Sequence, residues 1–175
     1  DICGECGGTE TDQDNCWDSN GLWVQSFTAT SDTTATLDIY MSNLEPVAGF
    51  EFRATSTLDG FELTGATGGS SEASGFEVST SSTGMALGFS FTGATIDFGF
   101  GLLTSIDVNL TSTSDMMGYI YLTEVVVADA SGSEMDFNVP DYFSVGGAPD
   151  APMAPENLAG MLVELNSIDL GWDAS

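Results

Sequence analysis

A chain of 175 residues is long enough for one β-sandwich of ordinary size with short flanking pieces, and too short for two full domains joined by long linkers. Its 27 acidic residues face a single cation, Arg53, and with no Lys or His the formal net charge is -26. That excess excludes nucleic acid, whose binding needs Lys and Arg to displace phosphate counterions, and it opposes anionic membrane surfaces. It suits a salty or calcium-rich exterior, where charge repulsion is screened over a few ångströms.

Residues 1–21 hold all three cysteines, Cys3, Cys6 and Cys16, with no hydrophobic periodicity, and read as a separate Cys/Gly/Asp-rich segment. Asp1 is preceded by no Met, basic n-region or apolar h-region, so the expectation is a cut or mature end. From residue 22 to residue 147 the pattern changes to period two. Leu37 and Ile39 flank Asp38, Phe50 and Phe52 flank Glu51, Phe61 and Leu63 flank Glu62, and Phe76 and Val78 flank Glu77. The alternation returns at Phe89 and Phe91, from Ile106 to Leu110, from Tyr119 to Leu122, and from Met135 to Val139. Each reads as a strand with one wet face.

About nine such strands, with turn residues every eight to twelve positions, predict an all-β fold, an antiparallel β-sandwich of the jelly-roll type. Gly65, Gly68, Gly69, Gly75, Gly84, Gly93, Gly99 and Gly101 mark its turns or bulges. Pro46 fixes φ ahead of a strand, Gly49 permits a tight turn into it, and Phe50 and Phe52 project to one face as anchors of the core. Residues 148–155 read as a linker broken by Pro and Gly. Residues 156–175 carry two more strand-like runs, too few for a sandwich of their own. No stretch approaches the roughly 20 apolar residues that span a bilayer as a helix.

Catalysis finds little support. Ser-His, Cys-His and Schiff-base chemistry all lack a partner, no Gly-Lys-Ser/Thr loop exists for phosphate, and no carboxylate pair stands out for glycoside hydrolysis. The chain is therefore read as non-enzymatic, with no organic cofactor. Calcium is the candidate ion: Asp12, Asp14 and Asp18 occupy the first, third and seventh positions of a would-be loop. Position five of that loop is Cys16, position six lacks Gly, and position twelve lacks Glu. Zinc would want four N or S ligands and finds three thiols and no His. An oxidising exterior favours one disulfide among the cysteines plus an odd thiol whose partner lies upstream or in another chain. Asn109-Leu-Thr111 is a glycosylation sequon.

Three segments carry a resemblance: MSNLEPVAGFEF (Met41 to Phe52), GFSFTGATIDFGFGLLTSIDVNL (Gly88 to Leu110) and ADASGSEMDFNV (Ala128 to Val139). They resemble the Asn-x-x-Pro-Val-x-Gly-Phe-x-Phe opening, the Gly-x-Leu strand start and the penultimate hairpin of cohesin-like and carbohydrate-binding-module-like sandwiches of extracellular bacterial proteins. The resemblance covers residues 22–147 and implies a binding fold without a catalytic signature. Cohesins of cellulosomes grip dockerin helix pairs, but no dockerin-like duplicated loop occurs in this chain, and fold alone does not carry that function across.

Asp1, Cys3, Gly4, Cys6, Gly7 and Gly8 resemble the Asp-Glu-Cys-Gly-Val-Cys-Gly-Gly-Asp repeats found beside such sandwiches. Ile2, Glu5 and Thr9 depart from that repeat. Pro155, Leu158, Ile168, Leu170 and Trp172 resemble the opening of a fibronectin type III domain, covering two strands. Ile168, Leu170 and Trp172 can alternatively add as an assembly strand to an exposed sheet edge.

Three function classes follow. The first is a structural or adhesive module of a surface filament, a modular exported protein or a virion decoration, acting on copies of itself or neighbouring modules. The second is a carbohydrate-binding module, and the third an accessory domain of a glycan-degrading enzyme. Most aromatics are read as core residues, which leaves Tyr40, Tyr119, Tyr121 and Tyr142 as a glycan platform. All three classes place the chain outside the cell or on a surface.

Overall fold

The computed structural model describes residues 19–147, where the period-two segments become strands. In chain order these are β1 (Gly21–Ala29), β2 (Thr34–Asn43), β3 (Val47–Ser56), β4 (Glu62–Thr67), a five-residue helix α1 (Gly69–Ala73), β5 (Glu77–Thr80), β6 (Met85–Phe89), β7 (Gly99–Asn109), β8 (Gly118–Asp129), β9 (Glu134–Met135) and β10 (Phe143–Val145). Every strand pair is antiparallel. One sheet has the order β1-β2-β7-β4, and the other runs β10-β8-β3-β6-β5 with β9 paired to β8. The expected antiparallel sandwich is the observed fold.

Alternation fixes which side chains meet between the sheets. Leu37, Ile39 and Met41 of β2, and Ile106 and Val108 of β7, face Phe50, Phe52 and Ala54 of β3 and Ile120 and Leu122 of β8, all buried. Each fully buried Leu, Ile or Phe of this set contributes roughly 1.5–3 kcal/mol. Phe50 stacks on Phe52 and on Phe76, with ring centroids 6.2 Å apart in both pairs. Gly88 of β6 lies beneath the Phe50 ring, so close that an added Cβ would overlap the ring atoms. The aromatic anchor thus needs a neighbouring residue with no side chain.

Several local readings change. Among the described residues there are ten strands, in keeping with the expected nine or so, and one short helix that was not expected. The helix escaped because its capping, and not any hydrophobic period, defines it. Gly75 at φ 74 closes it, with Gly75 N donating to Glu72 O and Phe76 N to Ser71 O, a Schellman-type ending over the buried Phe76. Gly69, also at positive φ, lets the chain pass against the Leu103 carbonyl of β7, where a Cβ would clash.

From Met135 to Val139 only Glu134–Met135 is a strand. Asn138 instead bridges Gly21 in parallel, accepting from Leu22 N at 3.0 Å and donating to Asn20 O at 3.0 Å. Those bonds satisfy backbone groups at the buried start of β1, and that pairing takes the place of a longer β8–β9 ladder. Phe91 falls beyond the end of β6 and is 76% exposed. The expectation that most aromatics are core residues also fails. Of the aromatic residues described, Phe50, Phe52 and Phe76 are buried and Phe27, Phe61, Phe137 and Phe143 are partly buried against the core, which leaves more than half at the surface.

Candidate functional site

The outer surface of the sheet β10-β8-β3-β6-β5 carries apolar side chains where a solvated strand face would carry polar ones. Register places Ser79, Leu87, Glu51 and Val126 in one row across β5, β6, β3 and β8. The next row is Glu77, Phe89, Gly49 and Ala128. Because Gly49 has no side chain, a shallow hollow of about 430 Å³ opens over it, walled by Leu87, Phe89, Val126 and Ala128. Phe91 extends this wall, its ring packed edge-on against Phe89 at 4.7 Å. Leu87 and Val126 are 41% and 42% exposed. Clustered apolar exposure of this kind marks an interaction surface more than scattered single residues do.

The inward faces explain why these residues point out. On β6 the core takes Ala86 and Gly88, small residues that leave room for Phe50, so parity sends Met85, Leu87 and Phe89 outward. On β8 the register slips between Glu51 and Arg53, opposite Thr123 to Val126, and Glu124 sits at φ 51. This bulge turns Val126 outward while Val127 stays in the core. Carboxylates rim the apolar area: Glu51 and Glu77 lie beside it, and Glu134 of β9 pairs with Ala128. Arg53, beside Met85 and Thr123, donates to Glu124 at 3.0 Å and to the Thr83 carbonyl at 2.9 Å.

The four tyrosines divide between two surfaces. Tyr119 and Tyr121 project outward from β8, with centroids 6.5 Å apart, and Tyr142 packs edge-on against Tyr119 at 5.3 Å. Tyr40 stands on the outer face of the opposite sheet, 6.2 Å from both Trp23 and Phe100. The sequence reading missed Trp23, Phe98 and Phe100 as surface residues. Their signal was present: Phe98-Gly99-Phe100-Gly101 alternates Phe with Gly, and the glycine parity is that of the core-facing Met41 partner. Asp12, Asp14 and Asp18, the cysteines Cys3, Cys6 and Cys16, and the strand Ile168, Leu170 and Trp172 lie outside the described residues. Among the described residues no helix is long and apolar enough to cross a membrane. Asn109 of the sequon closes β7 and is exposed.

This arrangement of two sheets has counterparts among solved structures. The sixth cohesin of scaffoldin B from Acetivibrio cellulolyticus, in complex with a mutant dockerin, matches with a TM-score of 0.54 at 14% identity, covering 70% of this chain and 94% of that one. A non-cellulosomal cohesin from the hyperthermophilic archaeon Archaeoglobus fulgidus matches with a TM-score of 0.54 at 14% identity, over 71% of this chain and 89% of the other. The fold is that of the cohesins. A type I cohesin–dockerin complex from Clostridium thermocellum gives a TM-score of 0.53 at 14% identity, over 70% and 89% of the two chains. No family model matches the sequence, and no curated protein matches it. At these identities the cohesin likeness is one of fold.

Proposed function

We propose that the chain is a non-catalytic binding module of an extracellular or surface-exposed assembly, docking a protein partner on the outer face of β8, β3, β6 and β5. The observation that carries this reading is the apolar hollow over Gly49, walled by Leu87, Phe89 and Val126 and rimmed by Glu51, Glu77 and Glu134. Apolar anchors give such a contact its affinity, and the acidic rim selects a partner with Lys or Arg around its own apolar residues. A second copy of this chain meets that rim with like charge, so a neighbouring module of different composition fits better. Cohesins of the same fold occur in complexes with dockerins, which makes a dockerin-type module the first partner to try.

The test uses the intact chain and a Leu87→Asp/Val126→Asp double variant, with circular dichroism confirming that both fold. Partners captured by the wild type from the secreted proteins of its source are purified, and each Kd is measured by calorimetry. Loss of two hot-spot contacts weakens binding by about 100-fold or more. Equal affinity for both forms removes this face as the docking site, and a wild type that captures nothing from low to high salt removes the binding-module reading.

A further inference from the structure

A second concavity lies away from the docking face, where α1 and the segment 96–98 meet the start of β7. It is a cleft of about 340 Å³ lined by Ser70 of α1 and Ser74 at its C-cap, by Asp97 and Phe98, and by Gly99, Phe100 and Gly101 of β7. Met41, Asn43, Ile96 and Leu102 also line it, and it is open at its glycines: a Cβ added at Gly99 or Gly101 would meet no heavy atom within 4 Å. Phe98 and Phe100 stand at its margin, 71% and 50% exposed. Phe100, of opposite parity to Gly99 and Gly101, reaches the cleft from its rim and leads onto the outer face of the sheet, with Trp23 at 5.4 Å and Tyr40 beyond it. The next row of that face is polar and fixed, because Ser26 and Ser105 both donate to the Asp38 carboxylate, at 2.7 Å and 2.6 Å.

We infer that this cleft and its aromatic margin bind a neutral oligosaccharide. A pyranose presents a C–H face that stacks on an aromatic ring and an equatorial belt of hydroxyls that pairs with carboxylates and side-chain hydroxyls. The lining offers both, in a volume within the range of small-molecule sites, roughly 300–1,000 Å³. A purely apolar ligand would leave Asp97, Ser70 and Ser74 stripped of water without partners, which is costly. A sulfated, phosphorylated or uronic-acid glycan would face Asp97 with no counter-charge, since the single cation, Arg53, is paired with Glu124 on the other sheet. Charge and shape together therefore select an uncharged sugar chain. This inference does not depend on the protein-docking face.

Calorimetry on the intact chain tests it with cellohexaose, xylohexaose, mannohexaose and laminarihexaose as probes and a polygalacturonate oligomer as the charged control. At least one neutral probe binds and the control does not. Gly99→Leu, which places its side chain in the open cleft, weakens that binding at least tenfold, and so does Phe98→Ala, whose exposed ring holds no part of the core. Leu87→Asp binds the sugar as the wild type does. The idea is overturned if no neutral probe binds, or if Gly99→Leu and Phe98→Ala bind unchanged. Binding lost in Leu87→Asp but kept in Gly99→Leu also overturns it, by assigning the glycan to the other face.

Discussion

Arg53, the only cation of the chain, donates its Nε–H to Oε2 of Glu124 at 3.0 Å, across the one bulge in β8 that reverses the outward parity of its valines. The bulge requires Glu124 to adopt φ 51, a conformation that side-chain-bearing residues rarely take. Backbone geometry and ion pair therefore sit on the same residue, and substitutions can separate them.

The pair itself is worth little in stability, because its side chains are 30% and 59% exposed. Arg53→Met should change the free energy of unfolding by less than about 1 kcal/mol. Glu124→Val should cost more, roughly 1–3 kcal/mol, because a β-branched residue fits this backbone poorly. Glu124→Gly should stay within about 1 kcal/mol of wild type, since glycine accepts the conformation. Urea unfolding of the three variants gives the order directly. Equal losses for Val and Gly would show that the ion pair, and not the bulge, dominates.

Gly88→Ala probes the aromatic stack. The new methyl would overlap the Phe50 ring, which is buried and stacks with both Phe52 and Phe76, so the ring can yield only by disturbing those contacts. Overpacking of this kind costs about 1–3 kcal/mol or somewhat more, with little change in denaturant m-value if the fold persists. Near-ultraviolet circular dichroism should change with it. An Ala variant as stable as wild type would mean that the stack is looser than described.

Much of this core was legible in the sequence, and the exposed apolar face of β6 and β8 and the cleft beside α1 were not, for one physical reason. Period two says that alternate residues share a face but not which face is wet. Asp38, Glu51 and Glu62 settle that question for β2, β3 and β4, because a carboxylate between apolar residues points to water. Met85 to Phe89 has no charge to settle it, and there the larger residues, Leu87 and Phe89, turned outward because the core had room only for Ala86 and Gly88 beneath Phe50. The Phe98 to Gly101 segment likewise has no charge between its apolar residues, although the space beside its glycines is open. Two-residue pairings such as β9, and a helix of one turn, fall below the length at which periodicity carries information.

Asp129 sets a pH dependence at the β8–β9 hairpin. Its Oδ1 accepts from Ser131 Oγ at 2.7 Å, Ser131 N at 2.8 Å and Ser133 N at 2.9 Å. The Ser131 hydroxyl bond first, then those from the turn's backbone, hold its pKa below the ordinary 3.8. A carboxyl with a lowered folded pKa leaves the unfolded state binding more protons through that window, so stability rises with pH there. The contribution is complete above the ordinary value and is lost as pH falls through the lowered one. The stability gap between wild type and Asp129→Ala should thus narrow as pH falls from about 5 through and below the ordinary carboxylate value. A gap that stays constant over that range would mean that the turn does not depend on the carboxylate charge.

Ionic strength should act on the whole chain, because 27 acidic residues repel one another with one cation to offset them. At 10 mM salt the Debye length is about 30 Å, comparable to a small domain, so nearly every carboxylate feels the others. At 1 M it is about 3 Å and only close neighbours interact. Melting temperature should accordingly rise with NaCl. Screening is indifferent to the identity of the ion at matched ionic strength, whereas a calcium site at Asp12, Asp14 and Asp18 would distinguish calcium from magnesium by size and ligand number. The two effects separate in one experiment. The intact chain and an Asp12→Asn/Asp14→Asn/Asp18→Asn variant are melted in NaCl, MgCl₂ and CaCl₂ adjusted to equal ionic strength. Screening alone gives rises that are the same in magnesium and calcium, for both proteins. A site adds a calcium-specific increment to the intact chain that the triple variant lacks. Magnesium and calcium curves that coincide for the intact chain remove the calcium site, and a melting temperature that falls with NaCl removes the repulsion argument as well.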